Sequence, residues 1–283
     1  MNDKKIIGID LGATNIRGGL VNGNRLSGIN SRRINNSGSI EDVLEDVFTI
    51  IEGLIDNTVA AIGIGVPSVV DVKQGIVYDV QYIPSWKEVH LKKIIEDRYK
   101  IPVLVNNDAN CFAIGEFYFG KGAGHENMIG LTIGTGLGAG IIINRRLFAG
   151  PNCGAGEFGM VDYLDHCYEY YGSGQFFQNV YGVNGEDVFR SAEAGDEEAK
   201  KLYGEMGVHL GNAIKLIMYT YDPALIVLGG SVRFAYPYFQ ETMWQRIHTF
   251  AYLKSKEGLR IELSELENSG ILGAAGLYYD YLQ

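Results

Sequence analysis

Cysteine is nearly absent: three in 283 residues, with no Cys-x-x-Cys pair. Cys111, Cys153 and Cys167 leave an odd count, so a disulfide framework is disfavoured and reduced thiols are expected. Basic excess is also missing. The formal charge is −10, and Lys92-Lys93 and Arg145-Arg146 are isolated pairs rather than a stripe. That argues against nucleic acid as a partner. No apolar run approaches the ~18 residues of a membrane span, so no membrane partner is expected. The first residues run into a strand pattern without a signal-like apolar region, and the expected location is cytoplasmic. No Gly-x-x-x-x-Gly-Lys-Ser/Thr loop occurs, which excludes the P-loop enzymes. No Gly-x-Gly-x-x-Gly opens a first helix, which disfavours a dinucleotide fold.

Glycine is plentiful, at 38 residues, about twice the usual ~7%. The glycines gather in tight turns, where backbone can approach a ligand. The length fits two domains. Residues 4–10 read as a buried strand ending in Asp10, and Gly12-Ala13-Thr14-Asn15 as a turn. Two further strands follow, joined by the hairpin signal Asn22-Gly23. Ser39 is placed to N-cap a helix whose apolar residues run from Ile40 to Ile55 at helical spacing. Residues 59–66 form a buried strand closed by Pro67-Ser68. Pro102–Asn107 forms another, ending abruptly in Asn107-Asp108.

The pattern then restarts. Met128–Ile133 is a strand, Gly134-Thr135-Gly136-Leu137-Gly138 a turn, and residues 139–143 the return strand. Helices are expected near 173–181, 184–194, 196–221 and 236–250, and strands at 225–228 and 260–263. Gly270–Tyr279 reads as a close-approach helix. Both halves thus open with strand, polar glycine turn and strand, then alternate helices with strands. This implies an α/β fold built from a duplicated unit with mixed sheets, in two domains around a cleft. The expected division is 1–118, with 270–283 packing back on it, and 119–269.

Asp10, Gly12, Thr14 and Asn15 offer a carboxylate, backbone N–H groups and a hydroxyl at one turn. Gly134, Thr135, Gly136 and Gly138 offer a second set. Two such turns could clamp a polyphosphate, with Asp10 holding Mg²⁺ directly or through water. Either turn alone is equally readable as a tight hairpin. Asp108 suits a general base in phosphoryl transfer, where a carboxylate orients a hydroxyl and accepts its proton late. Its alternative role is the N-cap of the next helix.

These residues, in this order, resemble the ROK family of bacterial sugar kinases and repressors, in the actin-like ATPase superfamily with hexokinase. The likeness runs through Asp10-Leu-Gly-Ala-Thr14, Gly63-Ile-Gly-Val-Pro67, Asn107-Asp108-Ala-Asn110 and Gly134-Thr-Gly-Leu-Gly138. It continues in Gly156-Glu157-Phe-Gly159, Leu228-Gly229-Gly230 and Leu272-Gly-Ala-Ala-Gly276. The resemblance implies the duplicated actin-like (ribonuclease H-like) fold and an ATP- and Mg²⁺-dependent hexose kinase, with glucose the default sugar. It implies Asp108 as base toward the sugar 6-hydroxyl. Asn107, Glu157 and Glu169 become sugar ligands, Gly229 and Gly230 the adenosine side, and a homodimer the assembly.

The departures concern the sugar. Met160 stands where the family usually has a zinc- and sugar-binding histidine, and most of its cysteine loop is missing, so no structural zinc is expected. Ser68 replaces the usual glycine and is a candidate sugar contact. Tyr82 stands where an asparagine is common. The alternatives are an N-acetylhexosamine kinase, a sugar-binding pseudoenzyme or sensor, and a sugar-sensing repressor. A repressor would need an N-terminal DNA-binding extension, which the early position of Asp10 and the acidic charge disfavour.

Overall fold

The structure is a computed structural model that describes residues 4–12, 14–80 and 82–283. Expectations drawn on residues 1–3 and on Ala13, within the first glycine turn, lie outside the described residues. The chain folds as two units. The first holds Met1–Glu126, Gly140–Ala155 and Glu265–Gln283; the second holds Asn127–Ala139 and Gly156–Ser264. The division expected from the sequence differs: it keeps 119–155 together and leaves 265–269 outside the first domain.

In chain order the first elements are β1 (Lys5–Leu11), β2 (Asn15–Asn22), β3 (Arg25–Arg33), α1 (Ile40–Glu52) and β4 (Val59–Val66). Then come β5 (Val69–Asp71), β6 (Ile76–Tyr78), β7 (Glu88–Val89), α2 (Leu91–Tyr99), β8 (Val103–Asn107) and α3 (Asp108–Phe119). They are followed by β9 (Met128–Ile133), β10 (Leu137–Ile143), β11 (Arg146–Leu147), a 3-10 turn (Phe158–Met160), β12 (Asp162–Tyr163) and β13 (His166–Cys167). Helices α4 (Tyr168–Gly172), α5 (Phe176–Tyr181), α6 (Gly185–Glu193) and α7 (Glu197–Tyr221) precede β14 (Leu225–Gly229). A second 3-10 turn (Ser231–Ala235), α8 (Tyr236–Ile247), α9 (Leu253–Gly258), β15 (Arg260–Leu263) and α10 (Ser269–Tyr281) complete the chain.

The duplication is visible in the sheets. One has the order β3-β2-β1-β4-β8 and the other β11-β10-β9-β14-β15, so each pairs its first strand with a hairpin partner on one side and a parallel strand on the other. Ser39 caps α1 as expected. Its hydroxyl accepts the Asp42 N–H at 3.2 Å, and the Asp42 carboxylate accepts the Ser39 N–H at 2.8 Å, closing a capping box. Val43, Leu44, Val47, Ile50 and Ile51 then face inward at helical spacing.

Helix α10 lies unusually close to its neighbours in the first unit, and glycine makes that possible. A Cβ at Gly63 of β4 would stand 1.8 Å from the Ala274 carbonyl oxygen, and one at Gly8 of β1 would stand 2.0 Å from that of Ile271. On the helix itself, a Cβ at Gly273 would stand 1.8 Å from the Cys111 carbonyl oxygen of α3. These obstacles are backbone, which cannot swing aside. Gly63→Ala is therefore expected to destabilise the protein by ~3 kcal/mol or more, at the upper end of overpacking costs. Urea denaturation of the variant checks this; an unchanged midpoint would contradict the packing described.

Candidate active site

Asp10 sits at the carboxyl end of β1. Across the parallel strands it pairs with Gly65, and Gly65 pairs with Asn106, so the three form one row across β1, β4 and β8. At ~4.8 Å per strand, the Asp10 and Asn106 backbones lie about 10 Å apart. The chain leaves β8 one residue later, at Asn107, and enters α3 at Asp108. Two carboxylates are thus delivered past the carboxyl ends of parallel strands, where open α/β sheets bind ligands.

The cap of α3 belongs to Asn107, not Asp108. The Asn107 carbonyl oxygen accepts the N–H groups of Ala109 at 2.8 Å and Asn110 at 3.4 Å, and its amide donates to the Ser68 carbonyl at 3.3 Å. The Asp108 side chain is exposed and accepts the Ala109 N–H at 2.8 Å. Capping is thus done by the neighbour, which leaves the exposed carboxylate at the positive end of the helix. Beneath it, buried Asn106 gathers three donors on one oxygen: the Asn107 N–H at 2.9 Å, the Asn110 amide at 2.9 Å and the Cys153 thiol at 3.1 Å. Nothing in the spacing of the sequence singles out Asn106 or Cys153 for this task.

Burial pushes the Cys111 thiol well up, and the charges of Asp108 and Asp10 push it further. Burial also raises Asp10 above its ordinary value, opposed by Arg17. Arg17 in turn donates to the Asn268 side chain, at the entry to α10. A Cβ at Gly270 would fall 2.5 Å from Asp10 Oδ2, so glycine there leaves space for the carboxylate. In the adjoining turn, Gly12 donates to the Asn15 carbonyl at 2.9 Å, and the Asn15 amide bonds the Thr14 hydroxyl at 3.2 Å. The Ser68 hydroxyl donates to the Tyr78 carbonyl, so its visible role is to hold the loop that carries Asn107.

The second unit holds the remaining residues that the sequence singles out. Gly134 donates to Gly136 at 3.0 Å to close the turn between β9 and β10. A Cβ at Gly134 would meet nothing within 4 Å, so the chain's own packing does not demand glycine there. Thr135 is exposed at the tip, and the Gly138 carbonyl accepts the Thr132 hydroxyl at 3.2 Å. Gly229 pairs with Thr132. Gly230, at φ +77°, would carry a Cβ 2.2 Å from the Ile133 carbonyl oxygen. The Gly229-Gly230 pair therefore lies beside the glycine turn.

Glu157 precedes the first 3-10 turn and is exposed; Glu169 lies in α4. Partial desolvation of this surface carboxylate, then the charge of Glu169, raises the Glu157 pKa above its ordinary 4.5. Met160 is 61% exposed at the end of the same turn. In place of the family's longer cysteine loop stands a short β12–β13 hairpin. Aromatic rings tie it down: Tyr163 stacks on Tyr168 at 4.2 Å and His166 on Tyr170 at 3.9 Å. The Tyr163 hydroxyl also bonds His209 Nδ1 at 3.2 Å and accepts from the Asn212 amide at 2.7 Å. Among the described residues, no group of three or more His, Cys, Asp or Glu is gathered as a metal cage.

A mixed α/β chain with two sheets of the same strand order and polar groups at the strand ends has the actin-like ATPase fold, with two domains. Within it, the chain belongs to the ROK family, whose model matches residues 6–280. It is 30% identical to a glucokinase of Streptomyces coelicolor over 80% of this chain and 81% of that protein. It is 27% identical to the xylose repressor of Bacillus subtilis over 97% of this chain and 77% of the repressor. Among solved structures, a ROK glucokinase from Streptomyces griseus in complex with glucose and AMPPNP superimposes with a TM-score of 0.80. It is 26% identical and covers 96% of this chain and 98% of its own. A proposed N-acetylmannosamine kinase from Listeria monocytogenes, also 26% identical, gives a TM-score of 0.82 and covers 99% of both chains.

The Glu157–Glu169 pair generates a pH dependence. A carboxyl whose folded pKa is raised keeps its proton in the fold after the unfolded chain has lost its own, so the contribution of Glu157 to stability falls as pH rises from its ordinary 4.5 through its raised folded value. Glu157→Gln abolishes that fall. Its melting temperature at pH 7 is expected to equal or exceed wild type, and any gap should close once the pH drops below the ordinary carboxyl range. Melts across the range test this; a variant less stable than wild type at neutral pH would contradict it.

Proposed function

We propose that this sugar-kinase-like chain is an active ATP-dependent kinase that transfers the γ-phosphoryl group to the 6-hydroxyl of a hexose, with glucose the first sugar to test. The observation that carries the reading is the exposed Asp108 carboxylate at the start of an α3 capped by Asn107, just past the strand-end row that contains Asp10. The intact base also favours an enzyme over a sensor.

Asp108 orients the hydroxyl and takes its proton as the bond to phosphorus forms. Asn107 contributes its amide to the same end of the sugar, and Ser68 holds that loop. Glu157 and Glu169 accept hydrogen bonds from hydroxyls at the other end. In the second glycine turn, the N–H groups of Gly134 and Leu137 bond to Gly136 and Glu169. That points to the N–H groups of Thr135 and Gly136 and the Thr135 hydroxyl as its donors toward phosphate. Gly12, Thr14 and Asn15 form the other phosphate set, with Gly138 supporting the second turn and Gly229-Gly230 on the adenosine side.

Asp10 fits a Mg²⁺ ion, since that ion takes one or two carboxylates plus phosphate oxygens and water, and the missing Cβ of Gly270 leaves room beside it. When bound, Mg²⁺ neutralises phosphate charge. An N-acetylhexosamine is the second substrate class to test, because the glutamate end, with Met160 and the short hairpin, is where the chain departs from the family pattern. The use of ATP argues for a cytoplasmic reaction.

The test is ADP release from Mg-ATP with a panel of hexoses and N-acetylhexosamines. Sugar-dependent turnover is expected, and Asp108→Asn should lower kcat by ~10² or more, the scale of a lost general base. Sugar binding without turnover on any member would favour the sensor.

A further inference from the structure

The glycine turn that the proposed reading assigns to phosphate is gripped from one side by a single short segment. Gly174 donates its N–H to the Gly134 carbonyl at 2.8 Å. The Ser173 hydroxyl and the Gln175 amide both donate to the Thr135 carbonyl, each at 2.9 Å. Glu169 Oε2 accepts the Leu137 N–H at 2.9 Å, and a Cβ at Gly136 would fall 2.6 Å from that oxygen. Every residue from Gly134 to Leu137 is thus met by residues 169–175.

The segment is anchored on its far side. Tyr168, Tyr170 and Tyr171 surround Glu169 in α4; the first two stack on Tyr163 and His166, and Tyr171 packs against His209 at 5.1 Å. Ser173 is fully buried, and its oxygen also accepts the Gln175 N–H at 3.2 Å. A buried hydroxyl and a side-chain amide converging on the Thr135 carbonyl fix the peptide that carries the Gly136 N–H, and the Gly174 N–H on the Gly134 carbonyl fixes the peptide that carries the Thr135 N–H. Glu169 itself does two things. One oxygen braces the turn, and its charge acts on Glu157.

We infer that the segment Glu169–Gln175 is the positioning element of the phosphate turn, and that Glu169 links sugar occupancy to the placement of that turn. Ser173 and Gln175 are positioning residues, because they act on phosphate only through the Thr135 peptide. Glu169 would touch sugar directly, which rests on the function proposed above. The consequence is that nucleotide and sugar bind with mutual assistance: a sugar hydroxyl on Glu169 steadies the carboxylate that holds Leu137, and by linkage the effect is reciprocal.

The experiment measures AMPPNP affinity by calorimetry with and without a saturating sugar that wild type turns over, alongside steady-state KM for each substrate. Either Thr135 donor can replace the other, so the double variant Ser173→Ala/Gln175→Ala is required. It should weaken AMPPNP binding and raise the ATP KM about tenfold, the scale of two lost hydrogen bonds, with the sugar KM within twofold. Glu169→Gln should raise both KM values and abolish the gain in AMPPNP affinity that sugar gives to wild type. An ATP KM within twofold in the double variant, or a Glu169→Gln effect confined to sugar, would overturn the inference while leaving the kinase reading intact. A parallel rise of both KM values in the double variant would also overturn it, as general loosening. A wild type without sugar-dependent turnover would remove the kinase reading and, with it, the coupling role of Glu169. The AMPPNP affinity of the double variant would still judge Ser173 and Gln175.

Discussion

The close approach of α10 to β1, β4 and α3 is the constraint on which the first unit depends. Three glycines, at 8, 63 and 273, let backbone meet backbone where any Cβ would collide. This contact does more than fill space. It brings the entry of α10 beside Asp10, where Gly270 leaves room for the carboxylate and Asn268 receives Arg17. It also fixes α3, whose first residue is Asp108. Moving the helix outward by one methyl group would shift both acids, so stability and the placement of the chemistry are the same packing problem.

Each unit holds polar groups of a different kind. In the first, buried Asn106 commits its side-chain carbonyl oxygen to three donors at the start of α3. In the second, desolvation and then the charge of Glu169 raise Glu157. Two like charges that repel each other are poorly placed for stability alone. In the proposed reading they accept hydrogen bonds from the hydroxyls of a neutral polyol.

Much of this is legible in the sequence because it rests on residue types with local consequences. An apolar strand that ends in Asn-Asn-Asp, glycine turns at matching points of two halves, and Leu272-Gly-Ala-Ala-Gly276 as a close-packed helix all carry their meaning in a few adjacent residues. What escapes depends on distant partners. Cys153 returns to Asn106 across 47 positions and Ser173 to Thr135 across 38, and no spacing rule predicts such bonds. Residues 140–155 belong to the first unit, a return that the sequence pattern does not separate from the second half. The β12–β13 hairpin and α4 are too short to show a period. The cap of α3 could fall to Asp108 on sequence because Asn and Asp both cap well; only the backbone geometry assigns it to Asn107.

The position of the transferred phosphate is the most direct measure of the chemistry proposed for Asp108. Incubation of the wild-type protein with Mg-ATP and glucose, or the best sugar of the panel, followed by phosphorus NMR of the product, reads it without further assumptions. A sugar 6-phosphate formed in step with ADP is the expected result. Phosphate released as inorganic phosphate at the same rate with and without sugar, or attached at the anomeric hydroxyl, would contradict it.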